Sequence, residues 1–256
     1  MSRDFTLYAY NNLLEMVKSR EYSFPHINEF IDKPVAKSVL LRHDVDSWPF
    51  NALKMAELEA EMGIRATYYF RMSPLSFNRK IIRRIAALGH EIGYHYEDLT
   101  THNGNYEKAI QSFQSNLEIL RRFYPVKTIA MHGNPLSRWN NLDLWTRYDY
   151  KKFGLIGEPY LSLDFNQVLY LTDTGNCWDG NRYSIRDEVN SRFSFPIHST
   201  RDLIDHINQN KLPDQIMLNV HPARWNDNLF KWFIRYYVLT VPKYQLKKWV
   251  KQWRNQ

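Results

Sequence analysis

With 256 residues, 44% hydrophobic and 24% charged, the chain has the make-up of an ordinary globular protein, long enough for one α/β domain with an accessory element. The net charge of +7 suits an anionic substrate or an anionic membrane surface, but lysines and arginines are spread along the sequence rather than gathered in one dense patch, which argues against nucleic acid. No run approaches the ~18 apolar residues of a membrane span.

Residues 6–20 carry Leu7, Tyr10, Leu13, Leu14 and Val17 at helical spacing, which predicts a packing helix ahead of the core. Residues 23–37 hold Pro25 and Pro34 and read as a connector. The apolar run Val39, Leu40, Leu41 predicts a short buried strand that ends at Asp46. Pro49 suits the first turn of a helix to about Met62, stopped by Gly63. Aromatic-rich 65–71 predicts a second strand, 78–88 a helix stopped by Gly89, and 90–97 a third strand. Asn105 caps an amphipathic helix to about Tyr124, ended by Pro125, and 128–132 is a fourth strand. Residues 140–150 predict a short helix or loop, 154–163 and 168–172 two more short strands, and 175–192 a polar loop. Ser199 or Thr200 caps a helix to about Asn208, and 215–221 forms the last strand. This alternation predicts parallel strands joined by helical crossovers. The tail, 226–256, is basic and aromatic and is split by Pro242. It reads either as a helix pair at a membrane surface or as terminal helices packed on the domain, and packing is the commoner use of such helices.

Chemistry gathers at the predicted strand ends. Along 38–46, S-V-L-L-R-H-D-V-D, side chains alternate, so Arg42, Asp44 and Asp46 share one face while His43 and Val45 take the other. Neighbouring carboxylates repel unless a cation or a shared proton lies between them, which points to a metal or acid/base site; the plainer alternative is a salt-bridged loop mouth with Arg42 as partner. Three further strands end in His95, His132 and His221. In parallel α/β architectures such ends converge on one face. The 17 tyrosines and 8 tryptophans suit a carbohydrate site, though rings fill cores more often. The single Cys177 cannot form an intrachain disulfide, and the N-terminus lacks the charged and apolar regions of a signal peptide, so a cytoplasmic protein is expected.

Taken in order, these motifs resemble the polysaccharide deacetylases, the NodB-homology group of carbohydrate esterases, over roughly residues 39–221. The closest likeness is to a branch whose first motif is an R-H-D-V-D run. The resemblance implies a distorted (β/α) barrel of about seven mostly parallel strands. It implies a divalent metal, commonly zinc, held by one Asp and two His, and hydrolysis of the N-acetyl group of an amino sugar or sometimes of an O-acetyl ester. Asp44 then matches the family's base and Asp46 its carboxylate ligand, separated by Val45 where the family's pair is adjacent. The lead-in G-H-E-I-G at 89–93 places the first ligand histidine at His95, but the second falls on Leu99, which cannot bind metal. The family's base-orienting Arg-x-Pro motif appears as H-G-N-P at 132–135, with His132 for the arginine. Because its strand end should open on the same mouth, His132 is the first candidate for the missing third ligand, followed by Glu97 and His102. The Asp/Trp motif resembles Asp173 and Trp178, and the leucine/histidine motif resembles Leu218 and His221.

The implied roles are Asp44 as general base, His221 as the acid for the leaving amine, and Asp173 as its orienting partner or a sugar contact. Asn134 and Arg42 are expected at the substrate, and Trp178 either there, stacked on a sugar ring, or buried in the core. The substrate would be a polysaccharide or its nucleotide- or lipid-linked precursor. The expected organisation is an N-terminal helical extension (1–37), a barrel domain (38–225) and a packed tail (226–256). The missing histidine at Leu99 keeps open a metal-free relative hydrolysing another non-peptide carbon–nitrogen bond; a non-catalytic sugar-binding relative is a further alternative, against which Asp44, Asp46 and His221 argue, since a binding module needs no base and acid together.

Overall fold

The computed structural model describes residues 3–134, 137–179 and 189–234. One parallel sheet is built from β1 (Ser38–Val45), β2 (Thr67–Phe70), β3 (Glu91–Tyr96), β4 (Ile129–Met131), β5 (Leu169–Thr172) and β6 (Gln215–Val220), in the order β4-β3-β2-β1-β6-β5. It curls into a half-barrel with flanking helices, and among the described residues it has six strands rather than about seven. The helices are α1 (Leu7–Ser19), α2 (Ile27–Asp32), α3 (Pro49–Glu61), α4 (Arg79–Ala87), α5 (Asp98–Thr101), α6 (Tyr106–Arg121), α7 (Pro159–Ser162), α8 (Thr200–Asn208) and α9 (Leu229–Phe233). β1 lies centrally and is buried along its whole length. A strand covered on both faces reads as a continuous apolar run, as S-V-L-L does.

Local chemistry sets the ends of these elements. Asn78 accepts from Lys80 N and Ile81 N at 3.1 and 3.2 Å, Asn105 from Lys108 N at 3.0 Å, and Ser199 from Asp202 N at 3.1 Å. Each satisfies amides that the first helical turn leaves unpaired. Two expectations need correction. Residues 154–163 form no strand: Gly157 makes a single bridge to Thr128, then Pro159 removes an amide and opens α7 while Glu158 accepts from Tyr160 N at 2.6 Å. The connector 23–37 contains α2, started by Glu29, which accepts from His26 N at 3.1 Å. Tyr10, Leu13, Leu14 and Val17 of α1 belong to the same apolar cluster as Val39 and Leu41, and α1 packs on α8. The tail beyond 234 lies outside the described residues.

Alternation along β1 decides where the chemistry goes. Val39, Leu41 and Val45 face the main core under the helices; Leu40 joins a second, inner cluster with Tyr69, Ala130, Tyr170 and Met217. Ile27 and Phe30 around α2 join it from the N-terminal ends of the strands. Polar layers rise from there towards the C-terminal ends. Glu91 accepts from Thr67 and Thr128 at 2.7 Å each, and Tyr69 donates to Thr128 at 3.0 Å. The Tyr69 ring crosses the space beside Gly93, where an added Cβ would lie 2.3 Å from it, so only glycine admits the ring. Arg42 lies in register with Thr67 and Asn219, one step below Asp44 on the same face. Above this level stand Asp44, His95, His132 and His221.

Candidate active site

His95 and His132 are brought together by the pairing of β3 with β4. His95 is in register with Ala130, and His132 N donates to Tyr96 O at 2.8 Å, carrying the ladder one step past the strand. The rings meet edge to face with centroids 5.2 Å apart. Asp46, just past β1, points between them: its Oδ1 is 3.5 Å from Nε2 of each histidine. Each ring is oriented by its other nitrogen. His95 Nδ1 is 2.9 Å from Ala130 O, and His132 Nδ1 is 3.0 Å from Glu97 Oε2. Glu97 is itself gripped through both oxygens by Arg71, at 2.7–2.9 Å.

The donor set fits a divalent cation. Asp46 Oδ1 is buried yet accepts no hydrogen bond, an arrangement that a protein interior tolerates poorly. Donor atoms of Asp46, His95 and His132 all lie within 4.8 Å of one another. Tetrahedral ligands at about 2.1 Å from zinc are about 3.4 Å apart, close to the observed 3.5 Å separations. His95, braced by a carbonyl on its far nitrogen, has the usual arrangement of a metal-binding histidine, whereas His132 Nδ1 meets Glu97 as an ion-pair contact without hydrogen-bond geometry.

Asp44 stands beside this group. Its Oδ1 and Oδ2 accept from Arg42 Nε and Nη2 at 2.8 Å each, and Oδ2 is 3.7 Å from His95 Nε2. Burial alone would raise the Asp44 pKa, but Arg42, His95 and His221 outweigh it and hold the carboxyl below its ordinary range. Burial likewise opposes ionisation of Asp46, yet His132, His95 and His221 keep it well below that range. For His95, burial disfavours the charge, and Asp44 and Asp46 reverse the balance and raise its pKa. Glu97 is brought down to about 2 against the pull of burial, by His132 and Arg71. Across the mouth, Asp173 accepts from the His221 backbone amide at 2.9 Å and from Trp225 Nε1 at 2.8 Å, and contacts His221 Nδ1 at 2.6 Å. This leaves His221 Nε2 as the imidazole's outward edge.

Two expected substrate contacts do not survive. Arg42 has no exposed surface: it is pinned to Asp44 and roofed by the rings of Tyr160 and Tyr69, 4.8 and 5.5 Å from its guanidinium carbon. Trp178 is also fully buried, packed near Phe5 and Trp225 with Nε1 donating to Thr200. Asn134 lies half-buried two residues beyond His132; Pro135 of the same motif lies outside the described residues. Leu99 is buried in the main core, Glu97 braces His132, and His102 caps α5 away from the group. Arg71 and Trp225 went unrecognised in the sequence. Arg71 follows β2 with no motif around it, and Trp225 reads only as an aromatic near a terminus.

No family profile and no curated protein matches the chain. Among solved structures it is similar to a CE4 family pseudoenzyme from Bacillus anthracis, at 13% identity and a TM-score of 0.46 over 84% of this chain and 63% of that one. It is also similar to a peptidoglycan N-acetylglucosamine deacetylase (16% identity, TM-score 0.45, 91% and 90% of the two chains). A third is a family 4 carbohydrate esterase from Streptomyces lividans in complex with acetate (17%, 0.42, 81% and 90%). The chain spans less than two thirds of the pseudoenzyme's length. These are likenesses of fold. No helix among the described residues is long and apolar enough to cross a membrane.

Proposed function

We propose that this protein is a metal-dependent hydrolase of the polysaccharide deacetylase kind, which removes the acetyl group from an N-acetylated amino sugar of a polysaccharide or its nucleotide- or lipid-linked precursor, inside the cell. The observation that carries this reading is the Asp46–His95–His132 triangle beside a separately held carboxylate, Asp44, and a carboxylate-braced imidazole, His221. A binding protein needs no such pair of proton-handling groups in one mouth. Bound by Asp46, His95 and His132, zinc would supply Lewis-acid polarisation of the amide carbonyl and lower the pKa of a water to about 7.

The protein's own groups do the rest. Asp44, kept ionised by Arg42, takes the proton of the attacking water. His221 gives a proton from Nε2 to the departing nitrogen, while the Asp173 carboxylate on Nδ1 stabilises its cationic form. Arg42 fills the orienting role that the family gives to the arginine replaced here by His132. The test is acetate release from N-acetylglucosamine oligomers by protein stripped with a chelator and then reloaded with zinc. The expected result is turnover that returns with zinc and falls by about 10²–10⁴-fold when the Asp44 base is removed. Turnover equal in stripped and reloaded protein contradicts the reading.

A further inference from the structure

Trp178, expected at the substrate, instead fastens together a second group of donor atoms. Its backbone amide donates to His198 O at 2.9 Å, and its indole donates to Thr200 at the start of α8. The loop after β5 is thereby fixed against the residue that precedes the α8 cap. Asp179 is further tied to β5 by a bridge to Thr172, and His198 N donates to Asp202 at 3.2 Å. Between these anchored segments, donor atoms of Cys177, Asp179 and His198 lie within 4.8 Å of one another. His198 Nδ1 is 3.0 Å from Asp179 Oδ1. Cys177 is buried, whereas the His198 side chain is 71% exposed, so the group has a floor and an open side.

We propose that Cys177, Asp179 and His198 form a second cation site, distinct from the Asp46–His95–His132 triangle, which takes a thiophilic divalent ion such as zinc. The donor types decide the ion. One sulfur, one imidazole and one carboxylate suit zinc and its neighbours and disfavour magnesium or calcium, which take oxygen. Three protein ligands leave a fourth position, and the open side of His198 is where solvent reaches it. The Cys177 thiol donates to Thr174 O at 3.5 Å, and it loses its proton to solvent as the metal–sulfur bond forms. The ion would tie the loop after β5, which begins at Asp173, to the start of α8.

Cobalt titration of the chelator-stripped full chain tests this, because a thiolate ligand to cobalt gives a near-ultraviolet charge-transfer band that oxygen and nitrogen ligands do not. The wild type should take two equivalents and show the band. Cys177→Ser should lose the band and one equivalent, while Asp46→Asn loses the other equivalent and keeps the band. His198→Ala should weaken the banded site beyond the roughly 10–100-fold typical of removing an outer partner. Absence of the band from the wild type, or a Cys177→Ser variant that still takes two equivalents, overturns the proposal. A wild type that takes only the banded equivalent upholds this site and defeats the proposed catalytic one.

Discussion

Arg42 and Asp44 are the pair on which the proposed chemistry leans hardest, and replacing Arg42 by methionine probes them. Their side chains are 0% and 2% exposed and are joined by two 2.8 Å hydrogen bonds. Breaking a buried pair leaves the partner's charge without compensation, at about 3–5 kcal/mol, a large share of the roughly 5–15 kcal/mol that holds a domain together. Arg42→Met and Asp44→Asn should therefore each lose about 3–5 kcal/mol in urea denaturation. The double variant removes both charges and should lose at least about 3 kcal/mol less than the sum of the singles. The loss of Arg42 also frees the Asp44 pKa to rise. The acid limb of the pH–rate profile in Arg42→Met should shift upward accordingly, since only the ionised carboxylate acts as base. Additive single losses, or an unmoved acid limb, refute this account of the pair.

Trp48 caps the start of α3 in a left-handed conformation, φ 54° and ψ 58°, which is strained for a bulky residue. Trp48→Gly should be more stable than Trp48→Ala by about 1 kcal/mol in thermal denaturation, since both remove the ring and only glycine relieves the backbone. Glu158 is buried, and burial raises its pKa to about 7. Its contribution is present below the unfolded value near 4.5 and is lost as pH rises through 7, about 3 kcal/mol in all. The stability of Glu158→Gln relative to wild type should thus improve by that amount between pH 4 and pH 8 in urea titrations; a pH-independent difference would count against it.

Strand positions were legible because strands buried on both faces write themselves as apolar runs, and their ends because Asp and His interrupt those runs. His132 was legible as a ligand candidate for the same reason: β4 runs beside β3, so its end reaches the mouth that His95 occupies. Alternation also placed Arg42 correctly on the face of Asp44. It could not show how deep that face lies, because the roof over Arg42 comes from Tyr160, on a helix distant in sequence. Trp178 was misplaced for a similar reason: nothing in T-G-N-C-W shows that Phe5 and Trp225 surround it. The helix α2 was hidden because its first turn is started by Glu29 reaching back to His26, not by a serine or threonine cap.

The most direct test is a zinc-loaded crystal measured for anomalous scattering. A peak should lie among Asp46 Oδ1, His95 Nε2 and His132 Nε2, with each nitrogen about 2.0–2.1 Å from the metal, and it should vanish from His132→Ala crystals grown the same way. A peak bound by Asp46 and His95 with His132 turned away, or no peak at this triangle, would contradict the assignment of His132 as the third ligand and with it the metal-dependent chemistry proposed for the site.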